Sequence, residues 1–261
     1  MRYNIQKIRD LSILPLSDGQ QLVIACDSNA SVGEKPADYH KCAYEEAAVS
    51  ALKVPMMEVI ATGAEPMIVV NNLCVEMEGT GKRIIEIMRK ELERHEYTSS
   101  VQLTGSTEDN MPTTQTGIGV TVIGMLSSER SRIGHTQPDD CIVCVGKPRS
   151  GVEKYYSEFQ TDVANIGTVK RLVREQFVHE ILPVGSKGAR YEAEQLCITS
   201  GLCFAPVDSP IDLQTSAGSS TAVLCSIREN DFERLRAAMT CPCCIIGFAQ
   251  RKIDKETKEC Q

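Results

Sequence analysis

Residues 57–73, MEVIATGAEPMIVVNNL, constrain this chain more than any other stretch. They place one acid, Glu58, a helical turn and a half before a Gly63-Ala64-Glu65-Pro66 corner, and an apolar run follows. A helix that stops at a glycine and turns directly into a buried strand belongs to a layered fold, with helices covering sheets. Gly63 reads as the helix C-cap, which does not preclude close backbone approach to a ligand. Asn71 and Asn72 interrupt the apolar run. Buried amides need partners, so at least one is expected to face a polar pocket.

Two more acidic turns accompany this corner. Asp27 directly follows the apolar run Leu22-Val23-Ile24-Ala25-Cys26, and the turn TGSTEDNMP, residues 104–112, precedes the alternating run 117–125. Acids at strand ends and helix starts are what a magnesium-nucleotide site requires. Hard oxygen ligands hold the cation, and small residues let backbone N–H groups reach phosphate. From the residues alone, plainer readings stay open. Asp27 also reads as a turn or capping aspartate, Glu58 as a solvated helix carboxylate, and Glu108 and Asp109 as ordinary exposed acids.

A chain of 261 residues makes one large domain or two ordinary ones. The first half alternates strand and helix patterns. Strands are expected at 22–26, 67–75, 101–103 and 117–125, and helices at 39–53 and 80–95. Pro55 is expected to open a separate helix ending at Gly63. The Ser-, Arg- and Gly-rich loop 127–138 divides the chain. The expected domains are residues 1–130 and 138–261. The second half holds expected strands at 141–146 and 243–248, a strand-turn unit before helix 189–200, the segment 213–227, and helices near 161–176 and at 231–239. The charged last dozen residues are expected to fray.

A net charge of −7 argues against nonspecific nucleic-acid binding. No long apolar run spans a membrane, and the N-terminus has no apolar signal core, so a cytoplasmic protein is expected. That compartment makes a disulfide framework among the twelve cysteines improbable. Cys26, Cys74, Cys141, Cys144, Cys197 and Cys225 read as small buried hydrophobes. The Cys241-Pro242-Cys243-Cys244 cluster lacks the second ligand pair a zinc site wants, and its position at a strand start gives it a structural reading.

The order of these pieces resembles the PurM-like superfamily. It contains aminoimidazole ribonucleotide synthetase, thiamine-monophosphate kinase, selenophosphate synthetase and the hydrogenase-maturation carbamoyl dehydratase. Gly63-Ala64-Glu65-Pro66 matches well, and Glu58 stands where the family usually has Asp. The turn beginning Gly105-Ser106-Thr107-Glu108 resembles the synthetase's Gly-Gly-Glu-Thr turn, with Ser106 for its second glycine. Val32-Gly33-Glu34-Lys35 keeps part of an Asp-Gly-Val-Gly-Thr-Lys loop, with the aspartate displaced upstream to Asp27.

The resemblance implies an α+β, two-domain architecture. An N-terminal mixed sheet forms an intersubunit barrel in a homodimer, and C-terminal helices pack on a second mixed sheet. It also implies an ATP- and Mg2+-dependent phosphotransferase acting on a small hydroxyl-bearing metabolite, with no membrane or nucleic-acid partner. Asp27, Glu58, Glu108 and Asp109 would hold metal, with Asp27 and Lys35 catalytic. Asn29, Ser31, Gly33, Gly63, Asn72, Gly105, Ser106 and Thr107 would hold nucleotide.

In the second half the family's acidic turns are replaced. Gly185-Ser186-Lys187-Gly188 opens a helix as an anion cradle, and Ser216 to Thr221 forms a second small-residue turn. Gly185, Ser186, Lys187, Gly218 and Ser219 are therefore expected to hold the acceptor. As a short divergent member the chain resembles the α-ribazole kinases of cobamide salvage. The rival expectation is a non-catalytic nucleotide-binding or regulatory member, since several family acids are missing. A thiol-metal protein centred on Cys241 to Cys244 ranks below both.

Overall fold

A computed structural model of the chain describes residues 4–150 and 157–252. The first half contributes strands β1 (Gln6–Ile8), β2 (Leu11–Pro15), β3 (Gln20–Ala30), β4 (Val32–Gly33) and β5 (His40–Lys41). Helix α1 (Tyr44–Ala61), β6 (Glu65–Leu73), α2 (Lys82–Arg94), β7 (Gln102–Thr107) and β8 (Gly117–Ser127) follow. The second half supplies β9 (Cys141–Gly146), α3 (Ile166–Arg174), β10 (Val178–Pro183), α4 (Gly188–Thr199), β11 (Leu202–Pro206), β12 (Ala222–Ile227), α5 (Phe232–Ala238) and β13 (Cys243–Arg251).

Among the described residues these strands form a mixed six-stranded sheet, β1-β2-β3-β8-β6-β7, and an antiparallel five-stranded sheet, β10-β12-β9-β13-β11. Strands β4 and β5 pair separately. The first sheet draws only on residues before the 127–138 loop and the second only on residues after it. The mixed α/β, two-sheet expectation holds, except that the second sheet, expected to be mixed, is antiparallel throughout its described strands.

Helix α1 lies at the centre. It is apolar nearly all round and packs on β3 and β8 of one sheet, and on α3 and β10 of the other half. A helix buried on every side has no polar face to show. The expected break at Pro55 does not occur, and one helix runs through it. Proline inside a helix costs about 3 kcal/mol or more. Leu52, Met56, Met57 and Val59 are fully buried around it, and each such side chain contributes roughly 1.5–3 kcal/mol. Packing therefore outweighs the lost hydrogen bond.

Strands β1, β2 and β11 extend the sheets beyond what the sequence pattern suggested. Alternation on β8 is complete: Ile118, Val120, Val122, Gly124 and Leu126 face inward, while their neighbours are half-buried on the other face. That outer face is not what the cysteine reading anticipated. Cys26 and Cys74 are exposed, whereas Cys141, Cys144, Cys197 and Cys225 are buried as expected. An apolar run fixes a strand, but its period of two puts every other residue on the far face. The expected fraying of the last dozen residues falls almost wholly outside the described residues.

Candidate functional site

Two cavities open between the halves. One, of about 470 Å³, is lined by Asp27, Asn29, Ser31, Glu46, Gly218 and Ser219 among others. The second, of about 420 Å³, is lined by Asp10, Asp27, Glu58, Gly185, Ser186, Glu192 and Gly218 among others. Asp27 and Gly218 belong to both, so the cavities adjoin as one cleft. Its walls are the C-terminal part of β3, the flank of α1, the start of α4 and the turn before β12.

Local structure explains this convergence. On β3, Val23 and Ala25 face inward against α1. Period two places Asp27 and Asn29 on that same face, as the apolar contact gives way to open cleft. The Asn29 amide donates to the Ala47 carbonyl of α1 at 3.4 Å. Glu58 projects from the last two turns of the same helix. In the second half, Gly218 (φ 50°) and Ser220 (φ 54°) bend the turn toward the cleft.

The cleft is strongly acidic. Burial pushes Asp27 above its ordinary value, opposed by the Ser28 backbone N–H. Burial, then the charges of Asp10, Asp27 and Glu192, push Glu58 up to about 8. Its Oε2 is buried and has no hydrogen-bond partner. Burial and Asp10 push Glu192 up to about 7, opposed by the Gly185 backbone N–H and by Arg9 and Lys187. Crowded carboxylates raise one another's pKa values because each disfavours its neighbour's charge. Among the described residues no three His, Cys, Asp or Glu side chains close on a single point as a ready metal site. The acids line a cleft with room for a ligand between them.

The remaining predicted residues lie elsewhere. Lys35 Nζ is held by Glu76 at 2.6 Å and the Thr113 carbonyl at 3.1 Å, and lines neither cavity. Gly33 is buried, its α-carbon facing Thr116 and Tyr44. Glu108 accepts from the Asn110 and Met111 amides of its own turn. Asp109 accepts from the Met77 amide at 2.8 Å and the Thr107 hydroxyl at 2.9 Å. Gly105, Ser106, Thr107 and Asp109 line a separate pocket at the β7 edge with Asn71.

Gly105 has a packing role there: a Cβ would meet the Asn71 carbonyl oxygen at 1.8 Å. Asn72 is exposed on the outer face, in register with Gly119 on one side and Ser106 on the other. Gly63 caps α1 at φ 91°, and a Cβ there would lie 2.2 Å from the Arg130 carbonyl oxygen. Lys187 sits over the Tyr191 ring at 4.2 Å. His179 pairs with Asp140 at 2.6 Å, a structural role.

Four acids of the cleft escaped the sequence reading: Asp10, Glu46, Glu158 and Glu192. For Glu192 a signal existed. It falls three residues after Ala189 and four before Leu196, inside the apolar stripe of α4, where a solvated glutamate does not belong.

The AIR synthase related protein N-terminal domain family matches residues 9–126. No curated protein matches the sequence. Among solved structures, thiamine-monophosphate kinase from Aquifex aeolicus is similar at 18% identity. The match has a TM-score of 0.64 and covers 95% of this chain and 90% of that one. AaThiL complexed with AMPPCP and TMP is similar at 16% identity and a TM-score of 0.62, covering 95% and 87%. A hydrogenase maturation protein HypE in complex with ATP is similar at 16% and 0.60, covering 94% and 80%. At such identities these likenesses are of fold. Residues 9–126 thus match the AIR synthase related N-terminal domain family, and the fold over nearly the whole chain is that of the thiamine-monophosphate kinase and HypE structures.

Proposed function

We propose that the chain is an ATP- and magnesium-dependent phosphotransferase acting on a small hydroxyl-bearing metabolite. The observation that carries this reading is the shared lining. Asp27 and Gly218 border both cavities, so acids from the family-matched half meet a small-residue turn from the other half. Solved relatives of this fold include complexes with ATP or an ATP analogue.

The residues fit a divalent cation. Asp27 and Glu58 offer hard oxygens, and the buried Glu58 Oε2 is unpartnered, an arrangement a bound cation would satisfy. Magnesium bound there would neutralise charge on the nucleotide phosphates. The chain's own groups do the rest. Asn29 and Ser31 on β3 and the adjoining loop supply donors for phosphate oxygens. Gly218 and Ser219 bound the acceptor side of the cleft, where the Ser219 oxygen accepts from an acceptor hydroxyl while its own proton goes to Glu158. Glu192, near its midpoint at neutral pH, is matched to take the acceptor's hydroxyl proton on a carboxylate oxygen. Closing the cleft excludes water from a site where charge interactions are then stronger.

The lining suits a neutral, hydrogen-bonding acceptor, and a nucleoside-like alcohol such as α-ribazole is the finer form of the proposal. The test is a panel of alcohols, α-ribazole included, assayed with labelled ATP. Ser219→Ala should raise the acceptor's Michaelis constant more than it lowers kcat. If an acceptor is found and that constant does not move, the acceptor placement fails.

A second reading is favoured by Lys35, whose ammonium is engaged by Glu76, and by Glu108 and Asp109, which bond their own turn and the Met77 amide. Fewer charges then face the cleft than a phosphotransferase uses. The second reading is a nucleotide-binding regulatory protein. Tight ATP binding with no turnover on any acceptor would establish it over the first.

We further propose a homodimer. The outer face of the six-stranded sheet carries Leu22 and Ile24 in register with Met125 and Ile123 of β8, and Ile68 of β6 opposite Ile123. All five are only half-buried. A second copy covering this face, as in the barrel expected from the resemblance, would remove them from water.

A further inference from the structure

The cysteine cluster at the start of β13 takes no part in the cleft, yet it does not sit there as inert packing. Cys244 lies directly opposite Cys144 in the antiparallel β9–β13 ladder. Residues directly opposed in such a ladder have Cα atoms about 4.5–5.5 Å apart, inside the roughly 4.4–6.8 Å range that disulfides span. The Cys144 thiol donates to the Gly146 carbonyl at 3.7 Å, and the two sulfurs are close enough to perturb each other's ionisation. Their surroundings differ. Cys144 is fully buried, while Cys244 is partly exposed. The exposure has a topological cause: β11 ends at Pro206, opposite Gly247, so the first residues of β13 have no strand on their outer edge.

We propose that Cys144 and Cys244 are an oxidant-reactive dithiol, converted by a peroxide into a cross-strand disulfide between β9 and β13. Cys244 is the attacking group. Its thiolate displaces water or hydroxide from the peroxide, giving a sulfenic acid. The Cys144 thiol then attacks that sulfur, the S–S bond forms, and the sulfenic oxygen leaves as water. Two thiols and one hydrogen peroxide become one disulfide and two waters, so no further reductant or oxidant is needed.

The juxtaposition prepares both steps. Interaction with Cys144 holds the Cys244 pKa below the ordinary cysteine value. Interaction with Cys244, then burial, push Cys144 well up, so the buried partner stays a thiol until its neighbour is oxidised. Cys144 is fully buried and stands opposite Cys244 in the ladder, which makes it the resolving residue. Adjacent thiols are placed differently. Strand alternation turns Cys243 to the opposite face, where its thiol donates to the Cys241 carbonyl at 3.5 Å. The Cys241 thiol donates to the Val163 carbonyl at 3.5 Å.

The experiment titrates the intact reduced protein with hydrogen peroxide, alkylates free thiols and maps peptides without reduction. The expected result is a 144–244 linked peptide, lighter by two hydrogen masses, appearing at lower peroxide than modification of Cys26, Cys74 or Cys203, all of them exposed. Cys244→Ser should abolish the linked peptide. Cys144→Ser should trap a sulfenic acid at Cys244, read with a dimedone probe, and Cys243→Ser should leave the link intact. If the exposed cysteines react first and no 144–244 peptide forms, the proposal is wrong. Linkage of Cys244 to Cys243 or Cys241 instead would equally overturn it. Circular dichroism of each variant separates loss of linkage from loss of fold.

Discussion

Lys53 and Glu158 form an ion pair sealed from solvent, at 1% and 7% exposure. Lys53 comes from the middle of α1 and Glu158 from the second half, so the pair ties the two together. The Glu158 carboxylate also accepts the Ser219 hydroxyl, and Lys53 points a further proton at the Ala164 carbonyl at 3.4 Å. Removing one partner of a buried pair strands the other charge, at a cost of about 3–5 kcal/mol. Lys53→Ala should therefore lower unfolding stability by that amount in urea titrations. Combining Lys53→Met with Glu158→Gln should recover most of it. A single-variant loss below about 1 kcal/mol, the range of exposed pairs, would show the pair to be hydrated.

Asp27→Asn should weaken Mg-ATP binding by more than about tenfold, or roughly 1.4 kcal/mol, while the fold persists. Its charge is raised in pKa by burial, so neutralising it removes a desolvation cost. Thermal stability should hold or rise. Calorimetry showing unchanged nucleotide affinity would take Asp27 out of the proposed site.

Glu58 sets a pH dependence. Its folded pKa is about 8, above the ordinary carboxyl value of about 4.3. Between those values the folded state holds a proton that the unfolded state has lost. Stability contributed by this group is thus complete at the acid end and declines as pH rises toward 8. A cation needing that carboxylate must displace the proton, so Mg-ATP affinity should climb from pH 6 to 8 and binding at pH 7 should release a proton. Titration in two buffers of different ionisation enthalpy measures the release. Glu58→Gln should abolish it. No release in the native protein would mean Glu58 is not a ligand.

For the outer sheet face, light scattering at micromolar concentration should give twice the 28.7 kDa chain mass. Ile123→Lys, at the centre of that face, should yield monomers that remain folded. A native mass near 28.7 kDa would contradict the dimer.

Much of the fold could be read before any coordinates, because apolar alternation on β3, β6 and β8 reports burial directly. The continuity of α1 could not, since local rules read Pro55 as a break and only packing from both halves overrides them. The cleft was half legible. Asp27, Glu58 and Gly218 follow strand ends, helix corners and turns, which leave sequence signals. Lys35 sits near Asp27 in sequence, but the β4–β5 segment carries it to Glu76. Asp10 carries no such signal and the one at Glu192 does not say which acids it would meet; only tertiary placement brings them beside Glu58. Sequence separation says little about which charges will share a cavity.

The central position of α1 bears on how this protein can be divided. Likeness to the family ends at residue 126, which invites expression of the first part alone. Such a fragment would leave exposed the flank of α1 that packs on α3 and β10, and with it the uncapped ammonium of Lys53. Evolutionary kinship and cooperative folding therefore have different borders here. The family match marks residues 9–126, whereas a piece expected to stand alone keeps both sheets and the helix that packs on each half.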